Sequence, residues 1–364
     1  MKKKGFTLVE LLAVIVILAI IALIATPMIL NVIENAKKGA SKSSALGYIE
    51  GIEKYIALNE VTNKNSFNFE KGFGYKIEDI KNIIEIKGDK PTEGWIRLNN
   101  GTVDDYELKI GNYIVRNKEG KAVSEKGNYY LNGTAIYFNP VTGEKCNDYQ
   151  EENSKYLVKE GCMKWYIFND SESSGTVNMI LDHSINTDNV PWNSSGDNTD
   201  GMNEVEIQLQ QDTATWDSNL NARLITADEV AKITEADKVL SWSSDKSYVD
   251  NPIIGTNISL FYFDGKYWKD STWRTQVVSG DGASRYAWLF DNNNESNRNG
   301  GNTSDSYEGR CGMMWGYWTS TAVNGVKSKA WVVHSSGSLE TYIVNGGCAF
   351  GVRPVITISK SLLD

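Results

Sequence analysis

A single carboxylate, Glu10, lies in the most apolar part of this sequence. Three lysines precede it at residues 2–4, and residues 11–25 contain no polar side chain. An ionised carboxyl group near the head of a membrane-length apolar helix is costly, so such a residue is a functional-site candidate by default. Where apolar helices bundle, a buried carboxylate must be paired or neutralised. The chemistry expected of Glu10 is therefore ion pairing within an assembly of helices.

The four cysteines predict disulfides rather than a metal centre. No two of them form a Cys-x-x-Cys pair, and the chain has two histidines, whereas zinc sites need closer Cys and His spacings. Four cysteines allow three pairings if all of them form disulfides. We favour Cys146 with Cys162, which bracket a polar loop and would contribute about 3 kcal/mol on the loop-entropy model. The other expected pair is Cys311 with Cys348.

Aromatic side chains crowd the second part of the chain, where ten of the eleven tryptophans lie at or after Trp165. One group could offer stacking faces to a ligand: Trp315, Tyr317, Trp318 and Trp331. Aromatic residues on strands are more often core. A ligand surface at this group is thus one hypothesis, and a buried core is the alternative.

The remaining polar residues assemble no reaction centre. Oxygen-rich loops at residues 196–201 and 291–295 do not fit the twelve-residue calcium-binding signature, so we predict no metal and no cofactor. No nucleophile stands beside an oriented base, and we expect no enzyme. A net charge of -9 and a pI of about 5.0 argue against a large nucleic-acid footprint.

A long helix over residues 6–60 must position Glu10. Residues 6–30 are apolar on all sides and long enough to span a bilayer, and later apolar residues recur at helical spacing. Pro27 should kink this helix because it lacks an N–H, and Gly39 is a point at which we expect it to soften. Nothing in one chain could cover an all-round apolar rod, so it must lie in lipid or among copies of itself.

Two globular bodies follow the helix. Residues 61–143 alternate as a meandering antiparallel sheet, with a hairpin signal at residues 99–101. Residues 144–364 carry a capping box at residues 226–229 and four strand signals near the end of the chain. The predicted fold class is α+β.

Residues 5–11, Gly-Phe-Thr-Leu-Val-Glu-Leu, resemble the leader junction of type IV prepilins and pseudopilins. The resemblance implies that residues 1–5 are a leader, cleaved between Gly5 and Phe6 by a prepilin peptidase. It also implies methylation of the new Phe6 amine and pairing of Glu10 with that amine in a neighbouring subunit. An ordinary signal peptide and a plain membrane anchor are the alternatives, but neither explains Glu10.

Three segments of the second body carry another resemblance: residues 222–226, 316–321 and 351–355. They are similar to C-terminal domains of uncharacterised prepilin-like surface proteins and to C-type-lectin-like domains of the formylglycine-generating type. This likeness implies a short antiparallel sheet, one or two helices, long loops and disulfides over residues 144–364. Its motifs are structural rather than catalytic.

The sequence therefore predicts a type IV pilus subunit, of minor or tip type, that displays an adhesion module. A major pilin with a decorating domain and a pseudopilin of a secretion or DNA-uptake machine are the alternatives. The expected partners are prepilin peptidase, other pilin subunits, the membrane before assembly, and a host glycan or surface protein. The precursor would lie in the cytoplasmic membrane and the mature chain in an extracellular pilus.

Overall fold

The structure, a computed structural model, describes most of the chain. The described residues are 8–62, 69, 74–99, 101–127, 129–146, 161–171, 173–185, 190–234, 236–239, 242–250, 286–289, 316–334, 338–346 and 350–363.

The described part of the chain starts with one continuous helix, α1, from Leu8 to Thr62. Among its described side chains, Ser41 is the first that is buried, and residues 8–33 project beyond the other described residues over about 40 Å. Pro27 lies inside the helix and cannot donate the backbone hydrogen bond of its turn. The kink at Pro27 stays a prediction.

The second part of α1 packs on a five-stranded antiparallel sheet. Its strands pair in chain order: β1 Gly74–Lys76, β2 Glu93–Asn99, β3 Thr102–Ile110, β4 Tyr113–Lys118 and β5 Lys121–Lys126. A short helix, α2 (Ile77–Ile80), follows β1. Tyr48, Ile49 and Ile52 of the helix lie in one core with the inward-facing sheet residues. The helix and the meander are thus one body, because the apolar stripe of α1 needs the sheet to cover it.

A second body follows, and its described residues form nine strands and three α-helices. In chain order they are β6 Ala135–Asn139, β7 Glu144–Lys145, β8 Met163–Phe168, β9 Thr176–Leu181, α3 Asn203–Asp212, β10 Arg223–Leu224, α4 Ala227–Ile233, α5 Ala236–Val239, β11 Gly316–Ala322, β12 Lys329–His334, β13 Ser338–Ile343 and β14 Pro354–Ser359. One sheet has the order β10-β14-β9-β8-β6-β7, and the other has the order β11-β12-β13. The α+β class predicted from the sequence is confirmed.

The sheet pairing moves the predicted boundary between the two bodies. Strands β6 and β7 precede residue 143 or lie next to it, yet β6 pairs with β8 of the second body. The turn over residues 140–143 connects β6 to β7 and is not a linker between domains. The chain leaves the first sheet after Lys126 and enters the second at Ala135, so the boundary at residue 143 was placed too late.

Two local signals are confirmed in the described residues. Thr226 caps α4, with its hydroxyl accepting from the Glu229 N–H at 3.0 Å while the Glu229 carboxylate accepts from the Thr226 N–H at 2.9 Å. Gly101, at the predicted hairpin, has a φ of 87° and lies between β2 and β3. Both signals are local, so they need no tertiary contact to be recognised.

Gly51 should tolerate alanine poorly, although alanine favours helix. A Cβ at Gly51 would lie 2.8 Å from Cγ2 of the buried Ile84, whereas a Cβ at Gly47 meets nothing within 4 Å. We expect Gly51→Ala to destabilise the chain by about 1 kcal/mol, because overpacking outweighs the helix gain. Gly47→Ala, the matched control, should stabilise it by roughly 0.5 kcal/mol.

Thermal unfolding of the detergent-solubilised chain, followed by circular dichroism, measures both changes. Equal shifts in Tm for the two variants would show that segment 77–86 does not pack against α1 as described.

Candidate functional site

The N-terminal part of α1 is an uncovered apolar rod. Large apolar side chains from Leu8 to Ile33 are exposed, with Leu8 at 82% and Leu23 at 77%. Within α1, an 18-residue window has a mean hydropathy of 3.2 and is wholly unburied, which makes the helix long and apolar enough to cross a membrane. Exposed apolar surface of this extent is stable in water only if another surface covers it.

Glu10 lies in the first described turn of α1 and is exposed there. Residues 11–25 continue the rod beyond it, and the next carboxylate in the helix is Glu34. Gly5 and Phe6, the predicted cleavage and methylation positions, lie outside the described residues. The geometry therefore places the Glu10 carboxylate on the rod, at the end far from both globular bodies.

Charged residues begin where the rod approaches the first sheet. Lys38 and Glu34 form an ion pair of 2.9 Å one turn apart, and both are exposed enough that its contribution to stability is small. Ser41 then contacts Ser124 of β5 at 2.9 Å between the two hydroxyl oxygens. The helix thus changes from an all-apolar surface to an amphipathic one within about two turns.

The aromatic group predicted as a ligand surface is core where the structure describes it. Tyr317 and Trp318 are fully buried and Trp331 is 1% exposed. The Tyr317 hydroxyl donates to the Leu289 carbonyl at 2.7 Å, and the Trp331 ring meets the Trp242 ring edge-on at 5.4 Å. The ligand-surface hypothesis is wrong for these three residues, because a ligand would first have to open the core. Trp315 lies outside the described residues.

Arg353 is a buried arginine that binds backbone carbonyls in the same core. Its buried guanidinium donates to the carbonyls of Leu181, Leu289 and Trp288 at 2.6, 2.8 and 2.7 Å, and it lies 5.0 Å from the centroid of the Tyr317 ring. A buried charge is tolerated only when its donors are satisfied in this way. Arg353 lies in residues 351–355, one of the three segments that carry the second resemblance, and its role there is to bind backbone carbonyls in the core.

One predicted disulfide is present. Cys146 and Cys162 are bonded, and they join the end of β7 to the start of β8. Cys311 and Cys348 lie outside the described residues, so their pairing stays a prediction.

In the oxygen-rich loop at residues 196–201, both carboxylates bind neighbouring groups of the protein. Asp197 accepts from the Thr199 N–H at 3.0 Å and from the Thr199 hydroxyl at 2.7 Å, and Lys327 lies 3.3 Å from it. Asp200 accepts from the Ser195 hydroxyl at 2.8 Å. The same contacts lower the pKa of Asp197, chiefly the hydrogen bond from the Thr199 hydroxyl. The loop at residues 291–295 lies outside the described residues.

Sequence reasoning missed the joint between the two bodies. Glu93 of β2 reaches across it: Oε1 pairs with Lys109 at 2.8 Å, while Oε2 accepts from the Leu131 N–H at 3.0 Å and from the Thr134 hydroxyl at 2.9 Å. Leu131 and Thr134 belong to the linker between β5 and β6. One carboxylate of the first body therefore fixes the linker in place.

A second carboxylate fixes the linker from the other side. Asp170, whose side chain is fully buried, accepts from the Tyr130 N–H at 2.8 Å and from the Ser171 N–H at 2.7 Å. It also pairs with Lys360 at 2.6 Å. Gly133 closes the joint: its φ is 85°, and a Cβ there would lie 2.3 Å from the Trp288 indole nitrogen. No local sequence pattern predicts these contacts, since Glu93 and Asp170 lie about 40 residues from the linker.

A cleft of about 600 Å³ opens beside this linker. The face of the first sheet forms one wall, the linker a second, and the loop after β8 a third. A smaller cavity of about 170 Å³ shares Trp95 and Asn132 with it. The two bodies thus meet around a polar, partly aromatic groove rather than a flat contact.

Lys76 of β1 is a partly buried charged residue at this joint. Its ammonium lies 4.3 Å from the centroid of the Tyr166 ring of β8. Burial lowers the pKa of Lys76 to about 8, with Asp79, Glu78 and Asp182 opposing the shift. A protonated Lys76 therefore costs stability in the folded chain.

Comparison with known proteins bears on the rod. Residues 1–26 match the prokaryotic N-terminal methylation motif. Neither the curated proteins nor the solved structures contain a match to this chain. The motif supports a type IV pilin-like subunit, and it implies processing by a prepilin peptidase and assembly with other pilins.

The destabilisation of the folded chain by protonated Lys76 should make the free energy of unfolding depend on pH. Between its folded pKa of about 8 and the ordinary value of 10.5, the unfolded chain binds more protons at this residue, so stability should rise with pH across that window. Lys76→Met removes the proton linkage. The free energy of unfolding of the parent chain relative to Lys76→Met should therefore rise by up to about 3 kcal/mol between pH 8 and 10.5.

Urea unfolding at several pH values measures this difference. Lys121→Met, on the exposed side of edge strand β5, controls for the loss of one charge and should give a profile parallel to the parent chain. A parallel profile for Lys76→Met as well would contradict the burial of Lys76 at the joint.

Proposed function

We propose that this chain is a type IV pilus subunit of minor or tip type that displays its second body at the cell surface. The uncovered apolar rod of residues 8–33 carries the proposal. A rod that is apolar all round must lie in lipid or in a bundle of similar rods. The methylation motif at residues 1–26 supports the second environment as the final one.

In this proposal, prepilin peptidase cleaves the precursor in the cytoplasmic membrane between Gly5 and Phe6, and the Phe6 amine is methylated. Glu10 then pairs with the Phe6 amine of a neighbouring subunit. The pairing would neutralise a carboxylate that the helix bundle buries. It also sets the axial register, because a one-turn slip would separate the two charges by about 5 Å.

The second body is the part that we propose the filament displays. It is larger than the first body, which supports a minor or tip position over a densely packed major subunit. Two antiparallel sheets, two main helices and the Cys146–Cys162 disulfide are compatible with a C-type-lectin-like domain, and we propose that class for residues 135–363. We assign it adhesion to a host glycan or surface protein and no catalytic role.

Glu10→Ala should block assembly and leave leader cleavage intact, because the carboxylate acts after processing. Glu34→Ala is the matched control: it removes a carboxylate of the same helix that lies outside the apolar rod and pairs with Lys38. Electron microscopy and immunoblotting of sheared surface fractions measure assembly, and the migration of the membrane-bound chain measures cleavage.

We expect filament incorporation to fall at least tenfold in Glu10→Ala and to be unchanged in Glu34→Ala. Normal incorporation of Glu10→Ala would remove the proposed role of this residue. The abundance of the parent chain in sheared filaments tests the minor or tip assignment, since a major subunit would dominate them.

A further inference from the structure

We infer that the cleft at the joint of the two bodies binds a short oligosaccharide. The inference rests on the proposed function only in one respect, namely that the sugar is bound at the cell surface. Sugar binding needs no filament. A chain that assembles but binds no sugar would therefore contradict this inference alone, and a chain that binds sugar but does not assemble would contradict the proposed function alone.

The volume and lining of the cleft suit a sugar. At about 600 Å³ it lies within the usual range for small-ligand sites, which combine aromatic side chains with a few placed polar groups. Trp95, Tyr129 and Tyr130 line it with partly exposed side chains, whereas Tyr286, at 2% exposure, closes it from the core side. A pyranose has a face of C–H bonds that stacks on the electron-rich face of such rings, and its hydroxyls point outward to polar partners.

The polar partners are present and uncommitted. The side chains of Asn169, Ser171 and Lys232 line the cleft, and none of them makes a hydrogen bond or ion pair within the described part of the chain. Asn132 uses its carbonyl oxygen to accept from the Asn169 N–H at 2.8 Å, which leaves its amino group to donate. Amide, hydroxyl and ammonium groups together match the donors and acceptors of sugar hydroxyls.

The cleft is held in shape before any ligand arrives. Arg116 forms part of its floor, with its guanidinium donating to Glu107 at 3.0 Å and to the Tyr129 hydroxyl at 3.1 Å. Asn169 has a left-handed φ of 53°, a conformation that non-glycine residues adopt rarely and that clusters at ligand sites. The buried side chain of Asp170 accepts hydrogen bonds from the backbone N–H groups of Tyr130 and Ser171, both of which line the cleft. A rigid site loses little entropy on binding.

A peptide fits the cleft less well. The strands that supply its wall, β2, β3 and β4, are inner strands of the first sheet, so an extended peptide could not add to them as a further strand. The observations therefore favour a sugar over a peptide.

The test uses the full chain in detergent micelles on an array of neutral and carboxylated oligosaccharides, with EDTA present, followed by calorimetry with the best member. Asn169→Gly removes the amide but keeps the left-handed backbone. Asn221→Gly is the matched control, since Asn221 also has a positive φ, of 46°, but lies outside the cleft. We expect binding that resists EDTA and that weakens roughly tenfold in Asn169→Gly, the loss of about one good hydrogen bond.

Asn221→Gly should bind as the parent chain does. Lys232→Ala, at an exposed position, should weaken the binding of carboxylated members. The inference is overturned if no array member binds, if EDTA abolishes binding, or if Asn169→Gly and Asn221→Gly bind equally. Unfolding temperatures of the variants, expected to match the parent chain, exclude loss of fold as the cause.

Discussion

The exposed apolar surface of α1 is the constraint on which the rest of this molecule depends. Residues 8–33 project beyond the first body, and the first buried side chain of the helix against the five-stranded sheet is Ser41. Such a rod is stable in a bilayer or in a bundle of equivalent rods. In the function proposed above, a neighbouring subunit in the bundle supplies the counter-charge for Glu10, the carboxylate on the rod. In that proposal, the rod moves from lipid surroundings to protein surroundings.

The joint determines how the rod presents the second body. Glu93 from the first body and Asp170 from the second hold the linker from opposite sides, and Lys76 reaches the Tyr166 ring across the same boundary. Hydrogen bonds to charged groups are stronger than neutral ones. The second body is thus set at a defined place relative to the helix, and the groove between the two bodies is a fixed feature of the surface.

The sequence predicted the features that local patterns encode. Periodicity defined α1 and the meander, and Thr226 with its capping box defined α4. Helix α3, at Asn203–Asp212, was missed because it buries little more than Val205 and Leu209, too few apolar residues for a periodic signal. The joint could not be predicted, since its carboxylates bind residues far away in the chain. Trp318 was ambiguous for the same reason: strand aromatics look alike until their neighbours are known.

The central claim is that the chain is a processed, filament-forming subunit. Mass spectrometry of the chain recovered from sheared surface filaments tests it most directly, through the N-terminal peptide. The account predicts a chain that begins at Phe6 with a methylated amine and that retains Glu10. A surface chain that begins at Met1, or one cut at any position after Glu10, would contradict it.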